Sequence, residues 1–171
     1  MPRYVALLRG VSPMNAKMPE LKACFEDMGF ANVRTLLSSG NVVFDGPRKK
    51  EATLVRALEA GMAERLPRSF PVILRTVDHL QAVLEADPYA GFDLSPDDKR
   101  VVTFLREPCT DPPALPIVRE GARILAVDGR EVFSVYIPNR SDPGFMVVIE
   151  KTFGKQVTTR TWDTVRKCAA A

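Results

Sequence analysis

Arg9 and Lys17 bracket the stretch RGVSPMNAK, which leaves one apolar run and enters a helical pattern at Pro19. Two cations on a loop between a strand and a helix raise the prospect of a phosphate site. Such a site turns successive backbone N–H groups toward one point and sets a helix N-terminus behind them. This loop is poorly suited to that task. Gly10 is its one glycine, Pro13 has no N–H, and Pro19 removes another at the helix start. GVSPMNAK also lacks the glycine directly before lysine that the nucleoside-triphosphate loop requires, and no GxGxxG fingerprint follows the strand. A plain connection is therefore the better reading of the backbone. Lys17 is a separate matter. A cation at a helix N-terminus gains nothing from the helix dipole, so an anion or a carboxylate is expected to face it. Asn15 adds a polar group to the same loop.

The second constellation is TTRTWDT, residues 158–164, where Arg160 and Trp162 could contact a ligand beside the hydroxyls of Thr159 and Thr164. The alternative is a capped terminal helix whose Trp162 and Val165 pack inward at i and i+3. It is preferred, because a lone tryptophan usually anchors packing. Other chemistries are set aside. His79 is the one histidine, so a single chain cannot build a multi-histidine metal site, and any Ser-His-Asp or Cys-His site would have to use it. Cys24, Cys109 and Cys168 are scattered with no CxxC pair. No metal or redox cofactor is expected. Asp97 and Asp98, adjacent in a loop, read as helix caps before catalysts.

The elements that must position these residues follow from periodicity. RYVALLR (3–9) is apolar on both faces and reads as a central strand. Leu21, Cys24, Phe25 and Met28 share one helical face between Pro19 and Gly29, so Cys24 reads as core. VRTLLSSGNVVFDG (33–46) reads as two strands around Gly40-Asn41. A helix from about Lys50 to Leu66 buries Leu54, Val55, Leu58, Met62 and Leu66, and Pro67 stops it. FPVILRT (70–76) is a strand whose Pro71 marks a start or a sheet edge. The order strand, helix, strand, strand, helix, strand is the ferredoxin-like pattern. On this pattern the turn at 38–41 is expected at the opposite end of the sheet from the loop at 10–18. The turn itself needs no function beyond the hairpin.

The second half repeats the order more loosely. A helix over Val77–Ala86 leads in, and RVVTFLRE (100–107) is a strand. The proline-rich stretch up to Gly121 leaves room for one short helix. Asp128-Gly129 between ARILAV and EVFSVYI signals a hairpin. DPGFMVVIEKTFG reads as a helix despite Val147, Val148 and Ile149. KQVTTR reads as a last strand and TWDTVRKCA as a terminal helix with Thr161 at its N-cap. The fold expected is α/β (α+β): two ferredoxin-like βαββαβ halves, the second looser, with a C-terminal helix. The divisions expected are 1–76 for the first half, 77–99 for a helix and linker, and 100–171 for the second half.

Composition agrees with a soluble globular chain. Among 171 residues, 46% are hydrophobic and 26% charged, and the net charge of +3 is too small to announce a nucleic-acid binder. The charge is uneven, however: both chain termini are basic and residues 78–98 are acidic without a single cation. No run of about 18 apolar residues calls for a membrane span. MPRYVALLRG is too short in its apolar part for a signal peptide, and an odd set of scattered cysteines argues against a secreted disulfide framework. The cytoplasm is the expected location.

RYVALLRGV, MPELKACFEDMGFANVRTLLSSGNVVF and TTRTWDTV resemble the bacterial family catalogued as domain of unknown function 1697, over nearly the whole chain. Its members carry a more glycine-rich loop after the first strand, roughly RGINVGG, then a lysine and a proline. Arg9, Gly10, Lys17 and Pro19 match, whereas Ser12, Pro13 and Met14 replace the glycine-bearing part. Asn is usual where this chain has Thr161, and both cap helices. The resemblance implies no activity, substrate or cofactor.

Three functions are carried forward. The first is non-catalytic binding of an anionic partner, nucleic acid or a phosphorylated metabolite, in a groove between the halves, through Arg9, Asn15, Lys17, Arg160 and Trp162. The second is a protein-interaction or self-association module, a homodimer included, using a sheet edge or the Trp162 region. The third is an enzyme with a cryptic site using Arg9, Lys17 and Arg160.

Overall fold

Tyr4 to Leu8 alternate between two faces, and every one of them is buried, as an apolar run without a polar face requires. These residues belong to β1 (Arg3–Leu8), the central strand of the first sheet in the computed structural model of the chain. The structure describes residues 1–138 and 144–171. After β1 come α1 (Met18–Asp27), β2 (Ala31–Leu36), β3 (Asn41–Asp45), α2 (Glu51–Arg65) and β4 (Val72–Thr76). The sheet order is β2-β3-β1-β4, with each neighbouring pair antiparallel. This is the ferredoxin-like arrangement that the element order predicts, and β4, introduced by Pro71, is an edge strand.

One face of the sheet meets α1 and α2. Leu21, Cys24 and Phe25 from α1, with Leu54, Leu58 and Met62 from α2, join Ala6, Leu8, Val42 and Phe44 in one core. Met28 and Leu66, expected inside, lie half-buried at its margin. Phe44 makes close ring contacts with Phe25 and Phe30, at centroid distances of 5.4 and 4.6 Å. Gly29 ends α1 at φ +94°, and its N–H donates to Glu26 O (2.9 Å).

The chain forms two compact units: residues 1–82 with 166–171, and residues 83–165. The helix α3 (Val77–Ala86) contributes residues to both. The second unit contains β5 (Lys99–Leu105), β6 (Ile117–Arg119), β7 (Ala122–Asp128), β8 (Glu131–Tyr136), α4 (Phe145–Phe153) and β9 (Val157–Thr161). The terminal helix α5 (Trp162–Ala170) starts in it and ends in the first unit. The second sheet runs β6-β7-β8-β5-β9, again antiparallel throughout. Strands β7, β8, β5 and β9 repeat the ferredoxin-like order, and β6 is added at the edge.

One expectation needs correcting. The stretch before Gly121 holds no short helix. It is irregular until β6, because Pro112, Pro113 and Pro116 deny the chain both N–H groups and helical neighbours. The expected helix start at Asp142 and Pro143 lies outside the described residues. From Phe145 the helix is present despite its β-branched run. Phe145 and Ile149, at i and i+4, are both buried beside Leu105, Ile124 and Val132, so tertiary burial outweighs the weak local propensity.

Candidate anion site at the end of the first sheet

The antiparallel register of β1 and β3 pairs Leu7 with Asn41. The β2–β3 turn, residues 37–40, therefore sits beside the end of β1, not at the far end of the sheet as the sequence reading expects. The reason is directional. With α1 returning between them, β1 and β2 run the same way, so the turn after β2 arrives where β1 finished. Two backbone bonds hold the junction. Leu8 N–H donates to Gly40 O (2.9 Å) and Arg9 N–H donates to Pro71 O (3.0 Å). Three loops thus meet at one end of the sheet: 9–17, 37–40 and 66–71.

Gly40 has φ +84°, and a Cβ there would lie 2.9 Å from Val11 Cβ. Both the backbone and the close approach require glycine. Asn41 is buried, and its Nδ2 donates to Leu36 O and Ser39 Oγ, each at 3.0 Å, which closes the turn from within. Leu37 in the same turn holds φ +58° while largely exposed.

The hydrogen bonds of loop 9–17 decide between cradle and connection. Ser12 N–H donates to Asn15 Oδ1 (2.9 Å), and Met14 N–H to Ser12 Oγ (3.2 Å). Asn15 and Ala16 N–H both donate to Ser12 O, at 3.2 and 3.1 Å. The loop uses these donors on itself, so it is no backbone cradle. Asn15 is its organiser, with Nδ2 donating to Gly10 O (2.8 Å).

Side chains supply what the backbone does not. Lys17 is the N-cap residue of α1, extended at φ −103° and ψ 133°, and its side chain makes no capping bond. It lines a cavity of about 160 Å³ together with Asn15, Glu20, Arg68 and Phe70. The Arg68 guanidinium lies over the Phe70 ring, 5.3 Å from its centroid. A Cβ on Gly10 would be 3.7 Å from Arg68 Nη2, so Arg68 spans from the α2–β4 loop to the β1–α1 loop. Lys17 and Arg68 against Glu20 leave one net positive charge on the lining. Arg68 is absent from the sequence reading. The available signal was Pro67, which ends α2 and puts the next residue on the loop leading into β4.

The other predicted residues are distributed as follows. Arg9 is half-buried at the junction of the loops. Arg160 and Trp162 belong to the second unit. Arg160 is only 8% exposed, and its Nη1 donates to Thr158 Oγ1 (2.5 Å) and Thr159 O (3.0 Å). Trp162 is 7% exposed and stands edge-on to Tyr89, 5.1 Å between centroids at 78°. Burial pushes the Tyr89 hydroxyl well above the usual phenol range, and that hydroxyl donates to Val101 O (2.5 Å). The threonines are also engaged: Thr159 with Thr103 (2.8 Å) and Thr164 with Thr161 (2.9 Å). Thr161 caps α5 by accepting from Thr164 N–H (3.2 Å). Cys24 is buried, which raises its thiol pKa. Asp98 shapes a turn, not a helix cap: its Oδ2 accepts from Ser95 N–H (2.9 Å) and pairs with Arg123 (3.1 Å). Among the described residues no cluster of His, Cys, Asp or Glu is arranged to hold a metal, and no helix is long and apolar enough to cross a membrane.

Fold and site together define a two-unit α+β protein, ferredoxin-like in each sheet, with a small cationic cavity at the end of the first. The chain belongs to the family described as Protein of unknown function (DUF1697), whose model matches residues 1–133. A conserved bacterial protein from Streptococcus pneumoniae is similar in structure, with a TM-score of 0.71 and 21% identity. The similarity covers 99% of this chain and 97% of that one. Comparison with curated proteins gives no match.

Proposed function

We propose that the protein binds an anionic partner without transforming it, through a phosphate group received between Lys17 and Arg68. One observation carries the reading: cations from two separate loops line one cavity. Arg68 is held against Phe70, which lowers the cost of ordering it around a ligand. The lining has no hydroxyl, thiol or imidazole, and Glu20 is its one carboxylate, which favours binding over turnover. Size narrows the ligand. About 160 Å³ is below the ~300 Å³ at which small-molecule sites begin. A single phosphate enters, and the rest of a metabolite or nucleic-acid strand stays outside.

The test is a salt-dependent titration of parent, Lys17→Ala and Arg68→Ala proteins with inorganic phosphate, a mononucleotide and a short oligonucleotide. Each variant is expected to weaken binding about tenfold, as loss of one charge-assisted contact implies. For an oligonucleotide each should also reduce the salt slope by about one. No binding by the parent at low salt, or binding by both variants as tight as the parent's, would overturn the reading.

A further inference from the structure

The two sheets repeat each other in bonding as well as in strand order. In the first, Leu8 N–H reaches Gly40 O just before β3, and Arg9 N–H reaches Pro71 O just before β4. In the second, Leu105 N–H donates to Arg130 O (2.8 Å) just before β8, and Arg106 N–H to Gln156 O (3.1 Å) just before β9. A Leu-Arg pair therefore closes the central strand in both, with matching partners. The strand that follows the hairpin begins with a buried polar residue in both: Asn41 opposite Leu7, and Glu131 opposite Phe104.

This correspondence marks a position. The first unit's cavity lies between the loop leaving β1 and the loop entering β4. The equivalent place in the second unit is between the loop leaving β5 and the loop entering β9, and a cleft of about 390 Å³ lies there. Arg106 and Lys155 come from those two loops, as Lys17 and Arg68 do from theirs. Gly154 at the cleft has φ +91° and no atom within 4 Å of where a Cβ would stand, so that side is open. Cys109 N–H donates to Gly129 O (3.0 Å) and fixes the facing loop.

The lining differs in a way that selects a ligand. Glu107 and Asp111 join the two cations, so the four charges cancel, and Thr110 and Thr152 add hydroxyls. A bare phosphate gains little from a neutral set. A ligand that also brings hydroxyl donors satisfies the two carboxylates, which act as acceptors only. The volume falls within the ~300–1,000 Å³ of small-molecule sites, so the body of such a ligand fits as well as its phosphate. We propose that this cleft is a second ligand site, for a phosphate monoester whose remainder carries several hydroxyls. It stands on the second unit's own geometry and does not require the first cavity to bind.

Amide chemical-shift mapping on the full chain tests it, with glucose 6-phosphate, glucose and inorganic phosphate as probes. Glucose 6-phosphate should shift residues 106–111 and 152–156 saturably, and more tightly than either other probe. Lys155 is exposed, so replacing it leaves the fold intact. Lys155→Ala should weaken these shifts about tenfold and Lys155→Arg should retain them. Shifts confined to residues 9–17 and 66–70 would uphold the first cavity and remove the second site. Shifts at 106–111 that Lys155→Ala leaves unchanged, or inorganic phosphate binding there as tightly as the sugar phosphate, would overturn the proposal too.

Discussion

Replacing Gly40 by alanine probes the junction of turn and loop at the end of the first sheet. Two costs add. A side chain at φ +84° bears the left-handed penalty of about 1–2 kcal/mol. Its Cβ would also stand 2.9 Å from Val11 Cβ and Cγ2 and 3.1 Å from Leu8 Cβ. Neither Cβ can turn aside by changing rotamer, because each is fixed to its backbone, so the loops must separate. Overpacking of that kind costs about 1–3 kcal/mol. The total expected is about 2–5 kcal/mol. Gly29→Ala is the control. Gly29 has φ +94° but nothing within 4 Å of the added methyl, so only the backbone penalty of about 1–2 kcal/mol applies. With a urea dependence of about 2 kcal/mol/M, the midpoint should fall by about 1–2.5 M for Gly40→Ala and about 0.5–1 M for Gly29→Ala. Urea unfolding followed by far-ultraviolet circular dichroism reads both. Equal midpoint shifts would refute the argument, since the close approach of turn and loop would then carry no cost.

Two further outcomes are expected. Thr161→Ala should lose about 1 kcal/mol by removing the cap on Thr164 N–H, whereas Thr161→Asn should keep most of it, measured by the same unfolding. The Asp45 carboxyl is held below the usual carboxylate range, first by the Asn32 Nδ2 bond (2.7 Å) and then by Arg3 Nη1 (2.9 Å). A depressed folded-state pKa gives stability that is full above the unfolded value near ~3.9 and lost as pH falls through the folded one. Asp45→Asn should therefore flatten the acid limb of a stability-against-pH curve and lower stability at neutral pH; an unchanged acid limb would contradict this.

The first half was legible because its signals are local and agree. Spacing alone placed Leu21, Cys24 and Phe25 on one buried face, as it did Leu54, Leu58 and Met62. Pro19, Gly29 and Pro67 marked helix ends through backbone rules that hold before any packing. Thr161 was readable as a cap for the same reason. The second half was less legible where a local rule competes with burial. Val147 and Val148 argue against the helix that Phe145 and Ile149 secure by packing inward.

The candidate site divides along the same line. Asn15 and Lys17 share a loop in the sequence, so their meeting at the cavity needed no fold, whereas Arg9, at the start of that loop, is not part of the cavity lining. Asn15 could not be read as the loop's organiser, because its partners, Gly10 O and Ser12 N–H, depend on how the chain turns. Arg68 lies 51 positions after Lys17 in the chain, and no periodicity links them. Strand direction brings their loops together, and direction is a property of the whole sheet. The same holds for Gly40 against Val11, and for the bonds that repeat from Leu8-Arg9 to Leu105-Arg106. Local signals were enough for the elements of the first half, most of their buried residues and the Thr161 cap, since each depends on neighbours a few residues away. Tertiary structure alone decided which loops share an end of a sheet, because antiparallel pairing joins residues that the chain separates.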